Sequence, residues 1–142
     1  EDPVTGAVGA CHAGWRGTAL GIAEKTVTAM VNAYGCDPNN IRAALGPCIS
    51  PCCFETDEDV PQAMIAALGD EAMPAITTKG AKYHVDIKYL NRLFLQKAGV
   101  LPEHMDTSPL CTACDPDQFW SARRHKDQRG SLGAIIVAGG NS

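Results

Sequence analysis

One short segment, Cys11-His12-Ala13-Gly14-Trp15-Arg16-Gly17, limits what this chain can fold into more than any other. An apolar run from Val4 to Ala10 leads into it and an amphipathic pattern leads out, so the region reads as buried strand, tight turn and helix. Such a turn aims backbone N–H groups at one spot, at the positive end of the helix dipole. Arg16 adds a planar fork of donors for a phosphate or carboxylate. His12 can ligate a metal or move a proton near neutral pH. The plainer readings are a buried His12 bonded to a carbonyl and an Arg16 paired with a structural carboxylate. The nearby glycines and Arg16 favour function for His12, whereas the two readings of Arg16 weigh equally. Trp15 reads as a packing anchor for the turn.

Beyond this block, helical spacing of Leu20, Ala23, Val27, Met30, Val31 and Tyr34 predicts a helix over Thr18 to Tyr34, stopped by Gly35. Ile41 to Leu45 reads as a strand ended by Gly46-Pro47. A second helix is expected over Glu58 to Leu68, and a third, capped by Asp86, runs to about Ala98 before Gly99. Lys82 to Val85 and Met105 to Thr107 read as short strands, Phe119 to Ala122 as extended, and Leu132 to Val137 as an apolar strand. Strands alternating with helices give an α/β fold of layered mixed sheets with flanking helices. A chain of 142 residues with 45% apolar content suffices for a single domain.

A net charge of −4 does not favour a nucleic-acid groove. No apolar run approaches the roughly 20 residues of a membrane span, and no secretory pattern stands out. The seven cysteines are odd in number and clustered, unlike a secreted disulfide framework, which points to reduced thiols in a cytoplasmic protein.

Two further regions carry chemistry-bearing side chains. In Leu45-Gly46-Pro47-Cys48-Ile49-Ser50-Pro51-Cys52-Cys53-Phe54-Glu55, Cys48 and Cys52 lack a second pair at zinc-finger spacing, so small apolar cysteines are the preferred reading. Cys111-Thr112-Ala113-Cys114 is a bare C-x-x-C in a proline-bounded loop, weak as a redox motif. A structural zinc site using Cys111, Cys114 and other thiols is its less favoured alternative. Near the end, Arg123, Arg124, Lys126 and Arg129 place four basic side chains within seven positions. Arg123 or Arg124 is the candidate anion ligand, because the apolar strand that follows ties this loop to the core.

Taken together, the block from His12 to Gly17, Leu45-Gly46-Pro47 with Cys52-Cys53-Phe54-Glu55, and Leu110-Cys111-Thr112 followed by Phe119-Trp120-Ser121-Ala122-Arg123-Arg124 resemble the laccase-domain family. That family is also described as polyphenol oxidases, purine nucleoside phosphorylases and the peptidoglycan editing factor. The resemblance implies a layered α/β fold, likened to the cysteine-hydrolase fold of a necrotizing toxin. It implies one zinc or copper ion on two histidines and a cysteine, with His12 the second histidine. The other histidine and the cysteine lie upstream of the block in family members, and only eleven residues precede His12 here. The expectation is therefore the C-terminal part of a laccase-type domain, an incomplete fold. Unpaired strand edges left by the missing part would invite self-association. The family order Gly-Arg in the last loop appears here as Arg129-Gly130.

What the resemblance implies for function is a metal-dependent purine nucleoside phosphorylase or adenosine deaminase. His12 would serve as metal ligand and catalytic residue, with Arg16 and Arg123 or Arg124 on phosphate or ribose. The alternatives are a Cys-His amidase editing peptidoglycan precursors, a copper-dependent polyphenol oxidase, or an inactive structural half. The expected partners are small molecules, a purine nucleoside and phosphate, with neither nucleic acid nor membrane.

Overall fold

The first residues turn back on themselves instead of running as a strand. In the computed structural model, which describes residues 1–139, the Asp2 N–H donates to Ala7 O (2.9 Å) and the Gly6 N–H to Asp2 O (2.8 Å). Asp2 Oδ1 accepts from the Val4 N–H at 2.8 Å. These local bonds spend groups that a ladder would need, and Val4 is left exposed. The strand expected over Val4 to Ala10 does not form.

The elements in chain order are α1 (Trp15–Ala19), α2 (Ile22–Tyr34), β1 (Ala43–Leu45), β2 (Glu55–Thr56), α3 (Asp59–Leu68), β3 (Ile76–Lys79), β4 (Lys82–Val85), α4 (Ile87–Lys97), β5 (Met105–Thr107) and α5 (Ala122–His125). Short 3-10 segments cover Gly69–Ala75, Pro102–His104 and Lys126–Gln128. The chain divides into two units. Among the described residues, one comprises Glu1–Leu45, Asn91–Thr107 and 134–139; the other comprises Gly46–Leu90 and Ser108–Gly133.

In the first unit, the single helix expected over Thr18 to Tyr34 is two. Gly21 adopts φ +69° between α1 and α2, a left-handed conformation that breaks the helix at little cost only in glycine. The inward stripe of α2 is accordingly narrower than the sequence pattern: Ala23, Val27 and Met30 are buried, while Leu20 and Tyr34 are 68% and 63% exposed. The helix ends as expected, with Gly35 donating to Val31 O at 2.9 Å. β1 lies parallel to β5, pairing Ala43 with Met105 and Leu45 with Thr107. Cys36, Ile41, Phe94, Leu95, Val100 and Met105 are buried here. Burial of that many apolar side chains contributes roughly 1.5–3 kcal/mol each against the entropy of ordering.

The second unit holds a three-stranded antiparallel sheet in the order β2-β4-β3. β3 and its turn through Gly80 carry no hydrophobic alternation; only Ile76 of its four residues is even half-buried. That is why the hairpin escapes the sequence pattern. Phe54, Val60, Met64, Leu68, Val85 and Leu90 are buried in this unit. Asp86 caps α4 as expected, its Oδ1 accepting the Tyr89 N–H at 3.0 Å.

The apolar strand expected over Leu132 to Val137 is absent; Ile135 is 92% exposed. A strand exists only where a neighbour takes its N–H and C=O groups, and none of the described strands pairs with this segment. Phe119 and Trp120 likewise form no strand, although extended backbone at Ser121 leads into α5. Among the described residues no helix is long and apolar enough to cross a membrane.

Candidate functional site

The turn that carries His12 is shaped by close approaches at three glycines. A Cβ on Gly9 would stand 2.9 Å from Met30 Sδ, so the loop lies directly on α2. A Cβ on Gly17 would stand 3.3 Å from His12 O. A Cβ on Gly14 would stand 3.0 Å from His12 Nε2, so the imidazole lies close against this glycine. Thr18 pins the turn from beneath. It is fully buried, its hydroxyl donates to Ala13 O at 3.3 Å, and Asn91 Nδ2 donates to Thr18 Oγ1 at 2.9 Å.

His12 is exposed, and neither ring nitrogen bonds another described residue. Arg16 is exposed too, with Cζ 4.3 Å from the centroid of the Trp15 ring. It forms no ion pair among the described residues. The indole thus orients the guanidinium by its face while leaving the donor fork outward.

Arg123 and Arg124 belong to the second unit and sit on α5. Arg123 Nη2 donates to Glu55 O, and its guanidinium lies 5.5 Å from the Phe54 ring. Arg124 Nε donates to Ala113 O at 3.0 Å. Each spends one donor fastening α5 within its own unit, Arg123 to β2 and Arg124 to the loop at 108–114, and keeps others toward solvent. Trp120 and His125 meet edge to face at 4.9 Å. A Cβ on Gly130 would fall 2.6 Å from Trp120 Nε1, so main chain lies against the indole there.

The cysteines do more than the sequence reading gave them. The loops at 46–54 and 108–114 run side by side, joined by a parallel bridge between Cys48 and Cys111 and by the Thr112 N–H to Cys48 O (3.1 Å). This brings Cys52, Cys53, Cys111 and Cys114 together, their sulfurs all within 4.8 Å of one another. The preferred reading of Cys52 as a merely small apolar residue is corrected by this juxtaposition: Cys52 and Cys114 are exposed. Cys48 stands apart from the group and turns its thiol to Ile49 O. The signal was present as two thiol pairs, each in a proline-bounded loop. Neither pair completes a finger motif alone, and only the fold brings the two together.

Lys88, only 8% exposed, holds these loops in register. Its Nζ donates to Ser108 O (2.7 Å), Leu110 O (2.8 Å) and Ser50 Oγ (3.3 Å), all three protons being used. Burial pushes the Cys48 thiol up, with Lys88 opposing. Burial alone would also raise Cys111, but the N–H groups of Ser50, Ala113 and Cys114 bear on its sulfur and hold it down at about 6. The hydrogen bond to Cys114, followed by burial, pushes Cys53 up to about 12.

The whole described chain matches known proteins. The family model described as multi-copper polyphenol oxidoreductase laccase matches residues 1–139, and the chain belongs to that family. It is 37% identical over 135 residues to the Bacillus subtilis purine nucleoside phosphorylase YlmD, covering 95% of this chain and 49% of that protein. It is 37% identical over 126 residues to the adenosine deaminase RL5 of an unknown prokaryotic organism, covering 87% of this chain and 46% of the relative. The crystal structure of YlmD from Geobacillus stearothermophilus superposes with a TM-score of 0.79 at 38% identity, over 84% of this chain and 45% of that one. This supports the mixed α/β architecture with sheets and flanking helices. The chain spans about half the length of the curated relatives it matches.

Proposed function

We propose that this protein is a metal-dependent purine nucleoside phosphorylase. His12 would be one ligand of a zinc or copper ion, and Arg16, with Arg123 or Arg124, would act on phosphate or ribose. The observation that carries the reading is the His12 turn: an exposed imidazole with no partner among the described residues, lying close against Gly14, beside a guanidinium stacked on Trp15. The relatives named purine nucleoside phosphorylase support it.

The residues present fit such an ion as a single ligand. No described group of three metal-binding side chains includes His12, so on the family pattern a histidine and a cysteine outside these residues would complete the set. When bound, such an ion supplies a Lewis acid or activates water near neutral pH. The chain's own residues do the rest. The Arg16 fork can take two phosphate oxygens, and stacking on Trp15 limits the orientations it loses on binding. A phosphate oxygen held there would bond to ribose C1′ as the C1′–N9 bond breaks and the base leaves. Gly14 and the Thr18–Ala13 bond keep the His12 ring in place. The cysteine-hydrolase-like form of the fold belongs with this proposal.

Phosphate-dependent release of base from inosine and adenosine tests it. His12→Ala is expected to abolish release, and Arg16→Ala to raise KM for phosphate. Undiminished turnover in His12→Ala would refute the assignment. Ammonia released from adenosine without phosphate favours the deaminase reading, which the likeness to RL5 supports. Loss of activity to an alkylator but not a chelator favours the Cys-His amidase. Dioxygen uptake with phenols favours the copper oxidase. No activity in any arm leaves a structural piece.

A further inference from the structure

We propose that Cys52, Cys53, Cys111 and Cys114 bind one zinc ion as a closed four-thiolate site. This site lies in the second unit, whereas His12 belongs to the first. It requires nothing of the nucleoside reading.

The spacing is that of a metal cage. Tetrahedral zinc with Zn–S near 2.3 Å sets its ligand sulfurs about 3.8 Å apart. The sulfurs of Cys53 and Cys114 lie 3.4 Å apart, those of Cys52 and Cys114 3.6 Å, and those of Cys52 and Cys53 3.8 Å. A disulfide needs about 2.05 Å, and all seven cysteines are free thiols. Apolar packing does not account for the group either, since two of its members are exposed.

The surroundings suit bound thiolates. The Ser50 N–H donates to Cys111 Sγ at 3.3 Å, the kind of outer contact that orients a ligand sulfur. The two ligand loops are fixed by the Cys48–Cys111 bridge and by Lys88. Zinc with four thiolates carries two negative charges. The Lys88 ammonium on Leu110 O and the Arg124 guanidinium on Ala113 O place positive charge on the backbone that bears Cys111 and Cys114. Four soft sulfurs and no open position define a structural site rather than a catalytic one. On binding, each thiol gives its proton to solvent, and nothing is oxidised or reduced.

The test uses the protein purified under reducing conditions without chelator, in a His12→Ala background that removes the other candidate ligand. Native mass spectrometry is expected to show one zinc per chain. Cobalt(II) replacing it is expected to show the intense visible bands and sulfur-to-metal charge transfer of a tetrahedral four-thiolate centre. Cys52→Ser and Cys114→Ser should each weaken zinc binding by roughly 100-fold or more. Cys52→His, which keeps four ligands, should retain the metal with an altered cobalt spectrum, and so separates ligand loss from misfolding. Failure to take up added zinc chloride, or a cobalt spectrum without thiolate bands, would overturn the site. So would a mass two hydrogens lighter, marking a disulfide, or serine variants that bind zinc as the parent does.

Discussion

Replacing Lys88 with methionine isolates what joins the two cysteine loops. The side chain is 8% exposed and its ammonium donates at 2.7 and 2.8 Å to two carbonyls and at 3.3 Å to a hydroxyl. Hydrogen bonds from a charged group are worth about 1.5–3 kcal/mol each. Counting only the two short ones gives a loss of roughly 3–6 kcal/mol. Against this, methionine removes a buried charge whose desolvation costs several kcal/mol, which offsets part of the loss. Methionine is near lysine in length, so little cavity is added. The expected net destabilisation is about 2–4 kcal/mol, mostly the cost of the Ser108 and Leu110 carbonyls losing their donor. Equilibrium urea unfolding followed by far-UV circular dichroism measures it, and thermal unfolding should fall by roughly 6–12 °C. The Cys48 thiol, which Lys88 pulls down against burial, should rise further and alkylate more slowly. A loss below about 1 kcal/mol would refute the view that Lys88 is a structural tie.

Other outcomes are expected elsewhere. Gly14→Ala keeps an allowed backbone (φ −66°) but sets a methyl against His12 Nε2; base release should fall about tenfold, equivalent to roughly 1.4 kcal/mol, with little change in melting temperature. Thr18→Val removes the bonds to Ala13 O and Asn91 while keeping volume, and should cost about 2–3 kcal/mol in urea unfolding. Asp2 is buried, which raises its carboxyl, but the Val4 and Thr5 N–H groups, with Cys36 and the Thr5 hydroxyl, hold it below the ordinary value of 3.8. Its folded value being depressed, it stabilises above the unfolded pKa, and that contribution is lost as pH falls through the folded one. Asp2→Asn should therefore lower stability at neutral pH and flatten the acid limb below about pH 4 in a pH series of urea midpoints. Gly99→Ala meets both φ +97° and a contact of 2.9 Å with Pro38 Cβ, and should destabilise by about 2–3 kcal/mol or more.

What could be read from the residues divides along the range of the forces involved. The helices α3 and α4 and the strands β1, β4 and β5 follow from local pattern, cap and stop, because each carries its own boundary signal. The break at Gly21 did not, since a glycine amid helical spacing is ambiguous until its φ is known. Val4 to Ala10 and Leu132 to Val137 have the composition of strands, but a strand is a relation between segments, and composition cannot supply the neighbour. The site divides in the same way. His12, Arg16, Arg123 and Arg124 stand out as residue types in a recognisable order, whereas Arg123 and Arg124 spending donors on Glu55 O and Ala113 O was not visible. The thiol group was hidden because its halves lie some sixty positions apart in the chain (Cys52 and Cys114 differ by 62).

The bare main chain at Gly130 carries an evolutionary cost. With a Cβ there falling 2.6 Å from the indole nitrogen of Trp120, every amino-acid replacement reachable by one nucleotide change adds an atom where none fits. Position 130 is therefore coupled to position 120: a smaller residue in place of the tryptophan relieves the contact, and while the tryptophan stays the indole or the loop must shift to admit a side chain.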